Sequence, residues 1–390
     1  MTSPYQVAAY YFPQYHPDPR NDRWHGDGWT EWELVKRAEP RFPGHQQPKE
    51  PLWGYQDESD PAVMAQKIDA AADHGITTFI YDWYWYEGKP FLNGALDHGF
   101  LGASNNDRLT FALMWANHDW VDIHPAKRPV SPPILATGAA SRSSFEEATD
   151  CIIRTYFLHA SYWRLDGCPY FSIYDLTSLI KGLGGVDETR VALDRFRIKT
   201  KAAGFTDVHL NAIIYSLPIL PGEQSVRDPN ALLSRLGFDS VTSYVWMHHV
   251  PMETFPTVPY AAYARHAVED WNRFARQYDL PYIPNVTMGW DASPRTVQSD
   301  AYDNLGYPFM PILIDNTPDE FEGALARAKD FLDSQLTDRP ILTINAWNEW
   351  TEGSYLEPDV MRGLGYLEAV RRVFGGRNWP PIPMREGVSG

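Results

Sequence analysis

The sequence predicts an α/β fold: a single (β/α)8 TIM barrel with long strand-to-helix loops, residues 1–390 forming one domain. Three observations lead there. Eight short apolar runs alternate with eight helix-length patterns, and such alternation builds a parallel sheet. Eight units is the number that closes a barrel. A barrel core takes about 250 residues, and the surplus falls mainly in three segments that follow strands, 13–59, 116–142 and 288–316. An open, doubly wound sheet is the alternative that the same alternation allows.

The elements follow in order. The first strand is expected at 7–12, an apolar run without polar alternation, as a strand buried on both faces requires. A helix at 60–74 opens on Asp60-Pro61, a capping side chain followed by proline in the first turn, and stops at Gly75. The second strand (77–81) precedes a short helix at 91–100, and the third is expected at 109–114. The helix at 144–163 begins Ser144-x-x-Glu147, a capping box. Strand four (170–174) leads to a helix at 186–203 that ends before Gly204. Strands at 208–214, 240–245, 282–287 and 341–345 then alternate with helices at 228–236, 260–278, 317–335 and 361–374. The chain has no linker, repeat or low-complexity tract.

Composition narrows the function. The chain is 44% hydrophobic and 22% charged, an ordinary globular balance, and its net charge of −16 argues against nucleic acid and anionic membranes as partners. It lacks the apolar run of about eighteen residues that a transmembrane helix needs. The start, Met1-Thr2-Ser3-Pro4-Tyr5, lacks the basic and apolar regions of a signal peptide, so a cytoplasmic location is expected, with secretion the alternative had a leader been removed. Cys151 and Cys168 cannot frame a disulfide scaffold and lack zinc-site spacing, so two buried free thiols are expected. Neither a Gly-x-Gly-x-x-Gly motif nor a P-loop occurs, which disfavours nucleotide cofactors, and no cofactor is expected. The absence of Gly-x-Ser-x-Gly disfavours one type of esterase.

The chain is rich in rings, with 15 Trp, 22 Tyr and 18 Phe. Twelve of the fifteen tryptophans fall in strand-to-helix segments, the end where barrels carry active sites. Aromatic faces interleaved with polar groups suit the C–H faces and hydroxyls of a carbohydrate. Those segments are also acid-rich, which favours neutral or cationic polyols over phosphorylated ligands. The first loop supplies Tyr11, Gln14, His16, Trp24, Trp29, Glu31 and Trp32, as a substrate subsite or as a lid over the barrel end. Later strand ends supply Asp82, Trp83, Trp85, Trp115, Asn117 and His118, then Tyr244, Trp246, Trp290 and Asp291. His118, Asp122 and His124, or His248 and His249, offer metal-ligand types, but loop histidines more often serve as hydrogen-bonding groups, and no metal is expected.

The sharpest segment follows the eighth strand and contains Trp347, Asn348, Glu349, Trp350, Glu352 and Tyr355. Glycoside hydrolysis uses two carboxyl groups, one protonating the leaving oxygen and one serving as base or nucleophile. Glu349 and Glu352 are three apart, which in a helical turn puts both on one face. The tryptophans beside them can desolvate one and raise its pKa, as a general acid requires. An N-terminal helix turn enriched in Glu for dipole reasons is the alternative.

Five segments resemble the WbsX-like proteins, relatives of glycoside hydrolase family 99, the endo-α-1,2-mannosidase and mannanase family. They are Tyr-Tyr-Phe-Pro-Gln-Tyr-His-Pro (10–17), Gly-Trp-Thr-Glu-Trp (28–32), Trp-Ala-Asn (115–117), Gly-Trp-Asp-x-Ser-Pro-Arg (289–295) and Trp-Asn-Glu-Trp-x-Glu-Gly-x-Tyr-Leu-Glu-Pro (347–358). The resemblance runs from about residue 10 to about 370 and implies a (β/α)8 barrel with a sugar cleft. It also implies that Glu349 deprotonates the sugar's own 2-hydroxyl, which attacks C1 to give a 1,2-anhydro intermediate. Glu352 then protonates the leaving oxygen and later activates water, with net retention. WbsX-like chains usually read Trp-Ala-Asn-Glu-Asn-Trp, whereas this one has His118-Asp119 before Trp120, and family 99 lacks the 28–32 loop, so sugar and linkage stay open. WbsX-like proteins are often labelled glycosyltransferases. A glycosyltransferase of surface polysaccharide and a non-catalytic sugar-binding barrel are therefore the alternatives to a retaining hydrolase.

Overall fold

The structure is a computed structural model that describes residues 4–128, 130–335 and 339–375. Eight parallel strands follow one another around a barrel: β1 (Gln6–Tyr11), β2 (Thr78–Tyr86), β3 (Thr110–Trp115), β4 (Cys168–Ile173), β5 (His209–Ile213), β6 (Ser240–Thr242), β7 (Tyr282–Ile283 and Asn285–Thr287) and β8 (Ile341–Asn345). β8 pairs with β1, joining the last strand to the first. β7 is cut in two by Pro284, which has no N–H for the ladder. Its first half pairs with β6 and its second with β8, so closure runs through the interruption.

The helices are α1 (Pro19–His25), α2 (Trp32–Arg37), α3 (Pro61–Asp73), α4 (Arg142–Ile152), α5 (Leu176–Leu183), α6 (Val186–Ala202), α7 (Pro229–Leu236), α8 (Tyr260–Gln277), α9 (Pro318–Ser334) and α10 (Gly365–Phe374). Their ends obey the expected chemistry where caps are present. Asp60 accepts from Ala62 N ahead of Pro61, and Thr317 accepts from Glu320 N ahead of Pro318.

Several expectations are corrected. α4 is capped by Ser141, which accepts from Ser144 N, rather than by the anticipated box at Ser144 and Glu147, and it passes into a π turn at Ile153–Phe157. The helix expected at 91–100 is a π turn, Ala95–Phe100. β2 runs on to Tyr86 because its end pairs with Lys89–Phe91 in a hairpin. α5 was not anticipated: the Asp175 carboxylate caps it by accepting from Thr177 N and Ser178 N. α1 and α2 lie within the long first loop. Both cysteines are unpaired, but half-buried rather than buried.

The barrel interior is partly polar. Ser172, Asn211 and Ser240, on β4, β5 and β6, are joined by two side-chain hydrogen bonds of 2.9 Å. Asn285 on β7 donates to Thr343 on β8 at 3.1 Å. Buried polar groups require such partners, so these rows tie neighbouring strands in register. Among the described residues no helix is long and apolar enough to cross a membrane.

Candidate active site

The loop after β8 carries the two glutamates and folds into a small hairpin, Asn348–Glu349 against Ser354–Tyr355. Between those strands lies a 3-10 turn, Trp350–Glu352, in place of the α-helical turn expected from spacing. Residues i and i+3 eclipse in 3-10 geometry, so the spacing still sets Glu349 and Glu352 on one side. Gly353 ends the turn at φ 62, with a Cβ position only 2.7 Å from Asp291 Cβ, so a side chain there would both strain the backbone and clash.

A second layer fixes this hairpin. Lys67 on α3 is buried between Glu58 Oε1 (2.6 Å) and Glu357 Oε1 (2.5 Å). Glu357 also accepts from Trp347 Nε1 at 3.0 Å and Trp350 Nε1 at 2.7 Å. Asn348 donates to Glu58 Oε1 at 2.9 Å. The conspicuous Trp-Asn-Glu-Trp segment thus turns its Trp and Asn side chains to the scaffold and leaves Glu349 to the cleft.

The cleft opens at the C-terminal ends of the strands. Of the residues singled out from sequence, Asp82, His118, His124, Tyr244, His248, Trp290, Glu349 and Glu352 line it. Glu31 stands behind them, 0% exposed.

The others lie elsewhere. Asn117 exchanges two hydrogen bonds with the Asp175 backbone. Trp85 Nε1 donates to Ser144 at 2.9 Å, Trp83 stacks on Trp85, and Trp115 packs on Phe145. Trp246 Nε1 donates to Asn285 O, and Trp32 Nε1 to Gln56 O. Tyr355 stacks on Trp350 with centroids 3.8 Å apart. Trp24 meets Phe91, and Trp29 meets His25 and His124. Tyr11 stacks on Tyr81, His16 Nε2 lies 3.3 Å from Leu92 O, and Gln14 is fully buried. Asp291 accepts from His45 Nε2 (2.9 Å), Gln47 Nε2 (2.7 Å) and Ser293 Oγ (2.6 Å), which shapes the turn leading to Arg295.

The centre of the site is a residue that sequence reading did not place there. Arg295, 4% exposed, donates to Glu352 Oε1, to Glu31 Oε2 at 3.2 Å and to Glu349 Oε2 at 3.3 Å. Tyr307 donates to the same Glu352 oxygen at 2.7 Å. Tyr244 reaches both Asp82 Oδ2 (2.9 Å) and Glu349 Oε1 (3.3 Å). The available signal for Arg295 was its place at the end of the 289–295 motif. Tyr307 had none.

One guanidinium therefore faces four buried carboxyl groups, and not all can be ionised in so dry a site. Burial pushes Glu31 up, but Arg295 and then His124, 2.9 Å away, hold it down at about 2. Burial and then the Glu352 charge push Glu349 well above the carboxylate range, only partly offset by Arg295. Burial also raises Glu352, against the pull of Arg295 and the Tyr307 hydrogen bond. Burial raises Asp82 well above its usual value, the Tyr244 bond opposing. The cleft and the layer behind it thus combine Glu31, held low beside Arg295, with three carboxyls, Glu349, Glu352 and Asp82, that burial raises. Among the described residues no three His, Cys, Asp or Glu are grouped as a metal site needs.

Fold and site together define a (β/α)8 barrel of the architecture used by carbohydrate-active enzymes. The chain belongs to the family described as "Glycosyltransferase WbsX", whose family model matches residues 7–370. It is 29% identical over 391 residues to "Uncharacterized protein WxcX" of Xanthomonas campestris pv. campestris, covering 95% of this chain and 50% of that protein. The chain thus spans about half the length of the curated relatives it matches. Among solved structures it resembles the GH99 endo-alpha-mannosidase from Bacteroides thetaiotaomicron, at 14% identity, TM-score 0.56 and 96% coverage of each chain. It also resembles a "Glycoside hydrolase-like protein" at 15% identity and TM-score 0.61, over 96% of this chain and 95% of that one. These likenesses establish the TIM-barrel fold.

Proposed function

We propose that this chain is a retaining glycoside hydrolase acting on a poly- or oligosaccharide, with Glu349 and Glu352 as the working pair. The observation that carries the reading is that both carboxyls enter one cleft beside a single shared cation, Arg295.

The chemistry is the two-carboxyl division of labour. Glu349 takes the proton of the substrate 2-hydroxyl while that oxygen attacks C1. The bond from C1 to the leaving oxygen breaks, and Glu352 supplies the proton to the departing group. Water then adds to C1 of the 1,2-anhydro sugar as the C1–O2 bond breaks, giving a proton to Glu352 while Glu349 returns one to O2. Arg295 and Tyr307 both donate to Oε1 of Glu352. Oε2 is then the oxygen suited to carry the acid proton. The raised pKa of Glu352 fits a general acid near neutral pH.

The family description favours a second reading, a glycosyltransferase. Against it stands the charge of the cleft: among the described lining residues Arg295 is the only Arg or Lys, and it is already bonded to three carboxyl groups. A nucleotide diphosphate would meet Asp82, Asp119, Glu349 and Glu352. The test is a polysaccharide panel scored for new reducing ends with wild type, E349Q and E352Q. The hydrolase reading expects wild-type cleavage and a loss of about 100-fold or more in each variant. Unchanged activity in both variants sinks it, and calorimetric binding of a nucleotide sugar without cleavage supports the alternative.

A further inference from the structure

Tyr244 presents one hydroxyl proton to two carboxylates, and one proton cannot fully serve both. Its oxygen is 2.9 Å from Asp82 Oδ2 and 3.3 Å from Glu349 Oε1. Asp82 is 4% exposed on β2, with its other oxygen, Oδ1, buried and unpartnered among the described residues. Among the described residues no cation bonds it, and Arg295 acts on it only through space. An ionised carboxylate with a single hydrogen bond is costly in such a place. Asp82 lies on β2, Tyr244 just after β6 and Glu349 after β8, so the barrel alone brings them together.

We propose that Asp82 and Tyr244 form a proton relay that converts Glu349 from acid to base. In one arrangement Glu349 carries the proton and donates to Tyr244, which donates to ionised Asp82. In the other, the Glu349 proton has moved to the Tyr244 oxygen and the Tyr244 proton has moved to Asp82 Oδ2. Glu349 is then a carboxylate that accepts from Tyr244. One O–H bond breaks and one forms at each step, and the total charge is unchanged. No proton crosses to solvent, so a buried site avoids a net change of charge when the base is made. Tyr244 and Asp82 are positioning residues in this scheme, and its catalytic meaning rests on the hydrolase reading of Glu349.

The neighbouring charges fit such sharing. Glu349 faces Glu352, Arg295, Glu31 and Asp82, together with the phenols of Tyr15, Tyr84 and Tyr244. Asp82 faces Tyr244, Glu352, Arg295, Tyr10 and Tyr84. Arg295 bonds Glu349 directly but not Asp82, and the shorter Tyr244 contact goes to the carboxylate without a cation. A hydrogen bond from Tyr244 is therefore the principal stabilisation open to an ionised Asp82.

The test needs no substrate. Carboxyl 13C resonances of Asp and Glu are followed against pH in the full chain, with Glu349 and Asp82 assigned by their loss in E349Q and D82N. In wild type the two signals should titrate together in two shared steps. Y244F should raise the Glu349 midpoint by about one unit, through loss of a bond to the charged form, and D82N should lower it by about one unit, through loss of a like charge. Independent titration of the two groups overturns the relay, as does a Glu349 midpoint that ignores Y244F. Should Y244F fail to fold, 3-fluorotyrosine at position 244 keeps the shape with a more acidic phenol. It should lower the Glu349 midpoint, and no change overturns the proposal. E349Q turnover on the polysaccharide panel decides the hydrolase reading separately, so either idea can fail alone.

Discussion

Asn348 grips the backbone of Phe12 from both sides: its Oδ1 accepts from Phe12 N at 2.8 Å and its Nδ2 donates to Phe12 O at 2.7 Å. The end of β1 is thereby tied to the loop after β8, one residue before Glu349. N348A removes both bonds and strands two buried backbone groups, at about 1–3 kcal/mol each. A fall in denaturation midpoint should accompany loss of turnover. Stability within about 0.5 kcal/mol of wild type would show that this clamp is not structural.

Lys67 is the buried cation under the hairpin. K67M leaves Glu58 and Glu357 facing each other without a counter-charge, and breaking such a buried set costs about 3–5 kcal/mol. Equilibrium unfolding in urea measures this. The triple variant K67M/E58Q/E357Q should recover part of the loss, because the uncompensated charges are gone. No recovery would place the damage in packing rather than charge.

Arg295 serves three carboxylates. R295M should destabilise by about 3–5 kcal/mol and E31Q should partly rescue it, since Glu31 is the carboxylate held most firmly in its charged form. A double-mutant cycle in denaturant reports the coupling. Additivity within about 0.5 kcal/mol would deny that the two residues act as a pair.

The acid limb of stability should belong partly to Glu31. Its pKa is about 2 folded against an ordinary 4.5, so its contribution is present above 4.5 and disappears as pH falls through about 2. Such a shift is worth about 3 kcal/mol, and E31Q should flatten the loss of stability across that window. Asp82 carries the opposite sign. Its raised pKa gives stability below the ordinary carboxylate range that is lost as pH rises, so D82N should be more stable than wild type at neutral pH. Unfolding midpoints measured across pH check both, and an unchanged acid limb in E31Q or a less stable D82N counts against these assignments.

The barrel was legible because parallel strands buried on both faces read as unbroken apolar runs, and the expected bounds of β1, β3, β4 and β8 lie within two residues of the observed ones. α5 escaped notice because it is eight residues long and its start depends on one side chain, Asp175. The tryptophan excess pointed to the end of the barrel where the cleft opens, without saying which rings face it. Trp120 and Trp290 line it, whereas Trp347 and Trp350 turn inward to Glu357. A ring in a list of residues has no direction until backbone and partners orient it.

By itself, then, the sequence determined the strand–helix alternation, the end of the barrel where polar and aromatic groups gather, and the closeness of Glu349 and Glu352, because periodicity and spacing are local properties of the chain. Only the tertiary structure decided that Arg295 and Tyr307 converge on Glu352, that Lys67 sits under the hairpin, and that Tyr244 links Asp82 to Glu349. Buried charges take their protonation from neighbours, and those neighbours are distant in sequence: Arg295 and Glu31 lie 264 positions apart.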